Sequence, residues 1–229
     1  MTGNMIWQQK LDGVRAVISA DRIVLRTTEY RNGGITVPEG CVLDGELLAK
    51  SGNFYDVVPA VMKKKWDRLF YIPFDILQQG EKDLHNLSLV ERLTILHNIC
   101  PDALGVWAYP NRPMPKVPQE WEGVVGKPLG SRYTGTRSSW IKWKNIHMLE
   151  ATLLGYEQGR GDWSGMVGKV VFGTSDGTRL GVAAGFDAKM QRTLTLNGEQ
   201  FIGKSVLIRH YGINKTKFRN PVFHGIKDI

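Results

Sequence analysis

The stretch Lys10–Arg15 reads KLDGVR and interrupts a run of strand-forming residues. A lysine, a carboxylate, a glycine and an arginine so close together are unfavourable in the middle of a strand. Considered alone, the segment is compatible with an edge strand that carries solvated charges and a glycine at a bulge. Lys10 is also a candidate nucleophile, provided that burial or a nearby cation lowers its pKa from the unperturbed value of about 10.4. Arg15 is expected on the opposite face unless Gly13 bends the chain.

The composition allows one large domain or two modest ones, since the chain has 229 residues and is 42% hydrophobic. Its net charge of +8 favours a polyanionic partner, most often nucleic acid, although charge alone does not decide the function. Cys41 and Cys100 lack metal or redox spacing and are predicted to be reduced thiols. No signal peptide or membrane span is recognisable, which predicts a cytoplasmic protein, or one of the host cytoplasm if it is viral, with no membrane partner.

The first part of the chain alternates strand and helix patterns. A hairpin is predicted around Ala20, and strands are predicted at CVLDGELLA, RLFYIPFDIL, GVVGKP and SWIKWK. FYDVVPAVMKKK is predicted to be a helix with Pro59 in its first turn or at a kink. Its lysine run is predicted to be a solvated helix end rather than a DNA clamp. The segment Ser88–Ile99 has the pattern of an amphipathic helix, with Ser88 and Glu91 forming a capping box.

From about residue 148 the pattern changes to short strands separated by glycines, with one helix at DAKMQRTLTL. Several short strands with a single helix are typical of a small closed barrel, for which the oligonucleotide-binding (OB) fold is the obvious candidate. The predicted organisation is therefore a mixed α+β domain over residues 1–147 and an OB-fold barrel over residues 148–229.

Isolated charges occur in four further apolar strands of the first domain. These strands carry Asp44 with Glu46, Phe74 beside Asp75 at a predicted strand end, Glu122 with Lys127, and Lys142 with Lys144. Because buried charges require partners, we expect these side chains to meet in one cleft. Such a cleft would suit a phosphate, a metal ion, sugar hydroxyls and a base.

Five segments, KLDGVR, LDGEL, FDIL, EGVVGKP and WIKWK, resemble in this order motifs I, III, IIIa, IV and V of the covalent nucleotidyltransferases. That superfamily includes ATP-dependent DNA ligases, RNA ligases and mRNA capping enzymes. The segment KFRNPVFHGIKDI is similar to the end of DNA ligases, where Arg-x-Pro-x-Phe precedes a final basic motif. The chain therefore resembles a minimal two-domain ATP-dependent DNA ligase of the small viral and bacterial kind. The resemblance implies that residues 1–147 form a nucleotidyltransferase domain with ATP-grasp-like adenylation chemistry.

The resemblance also implies a reaction in three steps. Lys10 attacks the α-phosphorus of ATP and becomes a lysyl–AMP, the AMP passes to the 5′-phosphate of a nick, and the 3′-hydroxyl displaces it. The implied ligands are ATP, Mg²⁺ (for which Mn²⁺ can substitute) and nicked double-stranded DNA, bound by a monomer. The implied catalytic residues are Lys10, Lys142, Lys144, Lys227 and Asp228, and the implied nucleotide contacts are Gln8, Arg15, Arg26, Glu46, Phe74, Val125 and Lys127. The implied metal ligands are Asp12 and Glu122, and the implied DNA contacts are Arg26, Arg137 and Arg219. For Arg26 and Arg137 a solvated position on a basic surface is an alternative.

Within this scheme Phe74 stacks on adenine with Val125 on its other face, while Glu46 and Arg15 bind the ribose hydroxyls. Three features differ from the family pattern: Lys227 stands where arginine is usual, Met148 stands where aspartate is usual, and residues 157–165 are too few for the DNA-gripping insertion of several small viral ligases. An RNA ligase and a GTP-using capping guanylyltransferase remain alternatives within the superfamily. A non-catalytic OB-fold nucleic-acid-binding protein is a third, disfavoured because a dead cleft has no reason to keep so many charges.

Overall fold

The computed structural model describes residues 4–26, 28–110, 115–134, 140–214 and 217–227. Arg137 and Asp228, to which the resemblance assigns roles, lie outside these described residues. The chain divides into two compact units, Met1–Asn145 and Ile146–Ile229.

The first unit consists mainly of antiparallel strands. Its strands are β1 (Met5–Gln9), β2 (Val14–Ile18), β3 (Arg22–Leu25), β4 (Thr28–Arg31), β5 (Cys41–Ala49), β6 (Leu69–Gln79), β7 (Lys82–Asp83), β8 (Gly123–Pro128) and β9 (Ile141–Lys144). Its helices are α1 (Val57–Met62) and α2 (Leu89–Ile99). The predicted hairpin, the four strands and both helices of this part are confirmed, although α1 is shorter than its sequence pattern suggested.

Two sheets form the first unit. One has the strand order β4-β3-β2-β5-β6-β7, and the other has the order β1-β8-β9. Alternate residues of β2 are buried because one face of its sheet packs on an apolar core that includes Ala16, Ile18 and Val61. The described part of the molecule is mostly β, with three α-helices, so the predicted α+β class is correct only as mixed α and β content.

Helix α2 begins and ends as its sequence predicts. The Ser88 N–H donates to Glu91 Oε2 at 2.8 Å, and the Ser88 hydroxyl caps the Glu91 N–H, which completes the capping box. The buried face of the helix contains Leu89, Leu93 and Leu96, which pack in a core with β1, β5 and β6. No helix among the described residues is long and apolar enough to cross a membrane.

In its described residues, the second unit has a five-stranded antiparallel sheet, one α-helix and a two-stranded ribbon. Its elements are β10 (His147–Gln158), β11 (Val167–Gly173), β12 (Arg179–Val182), α3 (Ala188–Asn197), β13 (Ser205–His210), β14 (Ile213–Asn214), β15 (Lys217–Phe218) and β16 (Val222–Ile226). The main sheet has the order β12-β11-β10-β13-β16. Asp187 caps α3 by accepting the Met190 N–H at 2.6 Å, and the apolar faces enclose a core around Phe172 and Phe223.

Candidate active site

A cleft with a volume of about 790 Å³ lies within the first unit. Its walls include most of the residues predicted to carry the chemistry: Gln8, Lys10, Arg15, Arg26, Glu46, Phe74, Val125, Lys127 and Lys142. These residues come from separate strands and turns. Of the charged residues expected to meet in one cleft, Glu46, Lys127 and Lys142 line it. Arg26 and Lys142 are exposed at the cleft wall, and Arg26 adopts a φ of 53° in the turn that joins β3 to β4.

Lys10 lies directly after β1, where its N–H donates to the Gly123 carbonyl at 2.9 Å. Its Nζ forms an ion pair with Glu122 Oε2, and Lys144 Nζ lies 3.2 Å from Glu122 Oε1. The Glu122 side chain is only 4% exposed, against 20% for Lys10. One buried carboxylate thus positions two lysines at the same edge of the cleft.

Lys10 and Arg15 line the same cleft, which is the arrangement expected if Gly13 bends the chain. The physical reason is that β1 ends at Gln9 and β2 begins at Val14, which leaves a turn between the two side chains. Gly13 permits that turn, because a Cβ atom there would lie 2.5 Å from the Leu47 carbonyl oxygen.

Arg15 is fixed by a buried carboxylate and a tyrosine. Its Nε donates to Asp44 Oδ1 at 2.6 Å, its Nη2 donates to Asp44 Oδ2, and the same Nη2 donates to the Tyr133 hydroxyl at 2.6 Å. The Tyr133 hydroxyl in turn donates to Asp44 Oδ2 at 3.0 Å. Burial raises the pKa of Asp44, and the charge of Arg15 opposes that rise. Arg15 therefore reaches the cleft in an orientation set before any ligand binds.

Phe74 and Asp75 lie in the middle of β6, so their predicted position at a strand end is wrong. The strand continues to Gln79 because it pairs along its length with β5 and then with β7. Asp75 is fully buried and pairs with Arg92, whose Nε and Nη2 donate to its two carboxylate oxygens at 2.7 and 3.0 Å. Arg92 Nη1 also donates to the carbonyls of Leu87 and Ser131 at 2.6 and 3.1 Å.

Lys127 is 2% exposed and lies between two aromatic rings. Its Nζ is 4.1 Å from the centroid of Phe74 and 4.3 Å from that of Trp140, and it has no hydrogen-bond partner among the described residues. Burial lowers the pKa of Lys127 to about 8, against the opposing charges of Asp75 and Asp44. A cation in this position is stabilised by the faces of the rings.

Two further side chains present polar groups to the cleft. Burial raises the pKa of Glu46 to about 7, and the charge of Lys10 opposes the rise. Gln8 is 1% exposed and donates through Nε2 to the Leu104 carbonyl at 2.9 Å. Its Oε1 is buried and has no partner in the part of the chain that the structure describes, so the cleft wall holds an acceptor that a ligand donor can satisfy.

The predicted metal ligands do not form a dense carboxylate site. Within the described ranges no group of three or more His, Cys, Asp or Glu side chains is arranged to hold a metal ion. Both oxygens of Glu122 contact lysines, and Asp12 lies on the turn after Lys10 without lining the cavity itself. The chain therefore offers one or two carboxylates at the edge of the cleft.

The remaining predicted residues lie in the second unit. Lys227 Nζ is 2.9 and 3.1 Å from the two carboxylate oxygens of Glu150, which also accepts the Ser205 hydroxyl at 2.7 Å. These contacts lower the pKa of Glu150, the hydrogen bond from Lys227 contributing most. The Arg219 N–H donates to the Gly212 carbonyl at 2.9 Å.

Sequence reasoning missed two residues that organise the cleft, Arg92 and Tyr133. A signal for Arg92 was present, because position 92 falls on the same helical face as the buried leucines 89, 93 and 96. Tyr133 lies in an irregular segment between β8 and β9, where no periodic pattern indicates burial.

Comparison with known proteins places the chain near DNA ligases. No family model matches it. A probable DNA ligase of Streptomyces coelicolor is 26% identical over an alignment covering 91% of this chain and 48% of the relative. The SPbeta prophage-derived DNA ligase-like protein LigB of Bacillus subtilis is 27% identical, with 67% of this chain and 66% of that protein covered. The chain spans about half the length of the first of these curated relatives.

Among solved structures, a Lig E DNA ligase described as binding DNA with a minimal scaffold superposes with a TM-score of 0.70. The superposition covers 99% of this chain and 93% of the other, at 22% sequence identity. The fold of the chain is thus the fold of a minimal DNA ligase, and the resemblance seen in its motifs is confirmed.

Proposed function

We propose that this protein is an ATP-dependent DNA ligase that seals nicks in duplex DNA through a lysyl–AMP and a DNA-adenylate. The observation that carries the proposal is the Lys10 amine, held by Glu122 at the edge of a cleft that also presents Arg15, Glu46 and Phe74. The proposal includes action as a monomer in the cytoplasm.

In the first step Lys10 Nζ attacks the α-phosphorus of ATP. A nitrogen–phosphorus bond forms while the bond to the pyrophosphate oxygen breaks, and Glu122, which already accepts a hydrogen bond from the amine, is placed to take its proton. Such a transfer depends on in-line positioning and charge neutralisation, which Lys142 and Lys144 supply from β9. The 5′-phosphate of the nick then takes the AMP from Lys10, and the 3′-hydroxyl displaces it.

The nucleotide is recognised by groups that the fold fixes in advance. Phe74 offers a ring for stacking on the base, and the unsatisfied Gln8 Oε1 can accept a hydrogen bond from an amino group such as that of adenine. Arg15, oriented by Asp44 and Tyr133, binds the sugar together with Glu46. Pre-orientation reduces the entropy lost when the ligand binds.

The donor set fits a magnesium ion that is only lightly held by protein. Mg²⁺ in such sites keeps several waters and is bound by one or two carboxylates together with substrate phosphates. Asp12 and Glu122 are the proposed carboxylates, in accord with the absence of a denser cluster among the described residues. When bound, the ion would neutralise charge on the phosphates.

The second unit is proposed to be an OB-fold domain that binds DNA, with a domain division at residues 147 and 148. Its strand order and the position of α3 between β12 and β13 support this assignment. The Phe223 N–H donates to the Ala184 carbonyl at 2.8 Å, which links β16 to the end of β12 and so begins to close the sheet. Arg219 is the proposed DNA contact in this unit.

The proposal is tested by incubating the protein with ATP labelled at the α-phosphate and Mg²⁺, and then adding nicked duplex DNA. We expect a covalent protein–AMP adduct, followed by loss of the label to DNA and appearance of the sealed strand. GTP in place of ATP, and a nicked duplex with RNA at the nick, serve as parallel reactions. An adduct formed only with GTP indicates a capping-type enzyme, sealing only of RNA indicates an RNA ligase, and no adduct overturns the assignment.

A further inference from the structure

Three consecutive lysines, Lys63–Lys65, follow α1 on a tight turn. All three are exposed, and none forms an ion pair with another described residue. The Lys64 N–H donates to the Val61 carbonyl at 3.0 Å and the Lys65 N–H to the Ala60 carbonyl at 2.8 Å, as in a Schellman motif. Lys64 occupies the left-handed position of that motif with a φ of 54°, where glycine is usual. A lysine thus occupies a position whose backbone conformation favours glycine.

The backbone of the lysine turn is held in place by the residues that follow it, through packing and a backbone hydrogen bond. Trp66 packs against the apolar core of the first unit. Its ring also lies against a glycine pair, since a Cβ atom at Gly33 would be 2.8 Å from Trp66 Nε1 and one at Gly34 would be 2.7 Å from Trp66 Cγ. The Lys50 N–H donates to the Arg68 carbonyl at 2.8 Å, which ties the segment to the end of β5 and brings two further exposed basic residues to the same region.

The same helix connects the turn to the cleft. Phe54, just before α1, and Val58, within it, line the cavity. Lys63 follows Val58 by five residues, which is about 8 Å along the helix axis at 1.5 Å per residue. Val58 and Met62 lie one turn apart and are 38% and 65% exposed, so the surface between the cleft and the lysines is uncovered.

We propose that Lys63–Lys65 bind the phosphate backbone of the nicked duplex beside the cleft; the proposal rests on the ligase function. Duplex DNA carries one negative charge per about 1.7 Å of its axis, so a nick bound in the cleft brings several phosphates within reach of this turn. A fixed group of unpaired cations beside a site for a polyanion is the arrangement that sequence-independent phosphate binding requires.

The test measures the affinity for a nicked duplex over a range of salt concentrations. The variant is Lys63→Gln/Lys65→Gln, and the matched control is Lys82→Gln/Lys116→Gln, which removes the same charge from two other exposed lysines of the first unit. We expect the first pair to weaken binding roughly tenfold and to reduce the salt slope of log affinity by up to about 2, at about 0.9 per lost phosphate contact. The control pair should change both quantities much less.

Formation of the protein–AMP adduct separates this inference from the proposed function. The lysine variant should form the adduct at the wild-type rate, because the turn takes no part in the attack on ATP. If wild type binds nicked DNA and both double variants lose the same affinity and slope, the turn is only part of a general basic surface and the inference is wrong. If wild type forms no adduct and binds no nicked duplex, the proposed function fails as well.

A single variant, Lys64→Gly, excludes a merely structural role. Glycine suits a φ of 54° better than lysine does, so the melting temperature should stay the same or rise. Affinity for the nicked duplex should nevertheless fall, by roughly threefold, because one phosphate contact is lost. Unchanged affinity in Lys64→Gly would show that its side chain does not bind DNA.

Discussion

The two units use charged residues in opposite ways. In the first unit Asp44, Asp75, Arg92 and Lys127 are each at most 2% exposed; Lys127 lines the cleft, and Asp44 binds Arg15, which also lines it. In the described part of the second unit the buried polar side chains are those of Gln191 and His210, whereas the ion pairs Lys169–Glu157 and Lys227–Glu150 are at the surface. Both units are built from antiparallel strands, so the difference does not come from the type of secondary structure.

Burying a charge costs free energy that pairing offsets only in part, and an apolar residue of similar size often gives equal or greater stability. The buried charges of the first unit are therefore better explained by what they position than by what they stabilise. Arg15 and Phe74 face the cleft because Asp44 and Asp75 hold the strands and side chains beneath them. Exposed charges orient a bound ligand less strictly than buried ones do. They are suited to DNA, whose phosphates repeat along the helix axis and can be bound in many positions.

The largest effect is expected when the nucleophile of the first unit is removed. Lys10→Ala should abolish the protein–AMP adduct, since it removes the amine that is proposed to attack the α-phosphorus of ATP. The fold should persist, because Lys10 lies after a strand and outside the apolar cores. Sealing of a pre-adenylated nick should survive in part. Gel analysis with labelled ATP measures the adduct, and an adduct of normal yield would exclude Lys10 as the nucleophile.

The next effect concerns the stability of the buried charge pairs. Arg92→Met leaves Asp75 buried without its partner and should lower the free energy of unfolding by about 3–5 kcal/mol in urea titrations. Lys169→Met, which breaks an exposed pair in the second unit, is the matched control and should cost less than about 1 kcal/mol. Adding Asp75→Asn to Arg92→Met should recover part of the loss. Equal costs for the two single variants would remove the contrast between the units.

Glu46 should make the stability of the first unit depend on pH. Its pKa is about 7 in the folded protein, against about 4.5 in the unfolded chain, so between these values the folded state binds more protons. The stability that Glu46 contributes is present below pH 4.5 and is lost as the pH rises to 7. The unfolding free energy of Glu46→Gln relative to wild type should therefore rise over this window by on the order of 1–3 kcal/mol. If the unfolding free energies of Glu46→Gln and wild type change with pH in the same way, Glu46 does not cause the pH dependence.

Sequence patterns predicted the elements well where each element carries its own signal. The cap of α2, the alternation of β2 and the charged motifs of β5, β8 and β9 are local, and the structure reproduces them. Most of the first-unit residues to which the resemblance assigns roles also line the cleft, because buried charges in apolar strands require partners.

Partnerships across the fold could not be predicted in the same way. Asp75 pairs with Arg92, which lies on a helix, and Arg15 pairs with Tyr133, which lies in an irregular segment. The spacing of residues along the sequence predicts neither contact. The length of β6 was misjudged because the strand that extends it, β7, is only two residues long and gives little signal of its own. Tertiary pairing, not propensity, decided these features.

The smallest effect is expected for Lys227, whose charge lies at the surface of the second unit. Its ammonium is paired with Glu150, and the two side chains are 46% and 53% exposed. By the ligase resemblance this position assists departure of pyrophosphate, so Lys227→Ala should slow adduct formation by roughly tenfold and leave the joining of a pre-adenylated nick unchanged. Stability should change little, because the pair is solvated.

Glu150→Gln separates that role from the ion pair itself. It removes the pair yet keeps the cation, so adduct formation should continue at the wild-type rate or faster, since Lys227 no longer has to leave a carboxylate to meet a phosphate. Lys227→Arg should also be at least as fast, because a guanidinium binds two phosphate oxygens at once. If Lys227→Ala slows adenylation and joining equally, Lys227 is instead a general DNA contact. The surface charges of the second unit would then bind the duplex and would have no part in the departure of pyrophosphate.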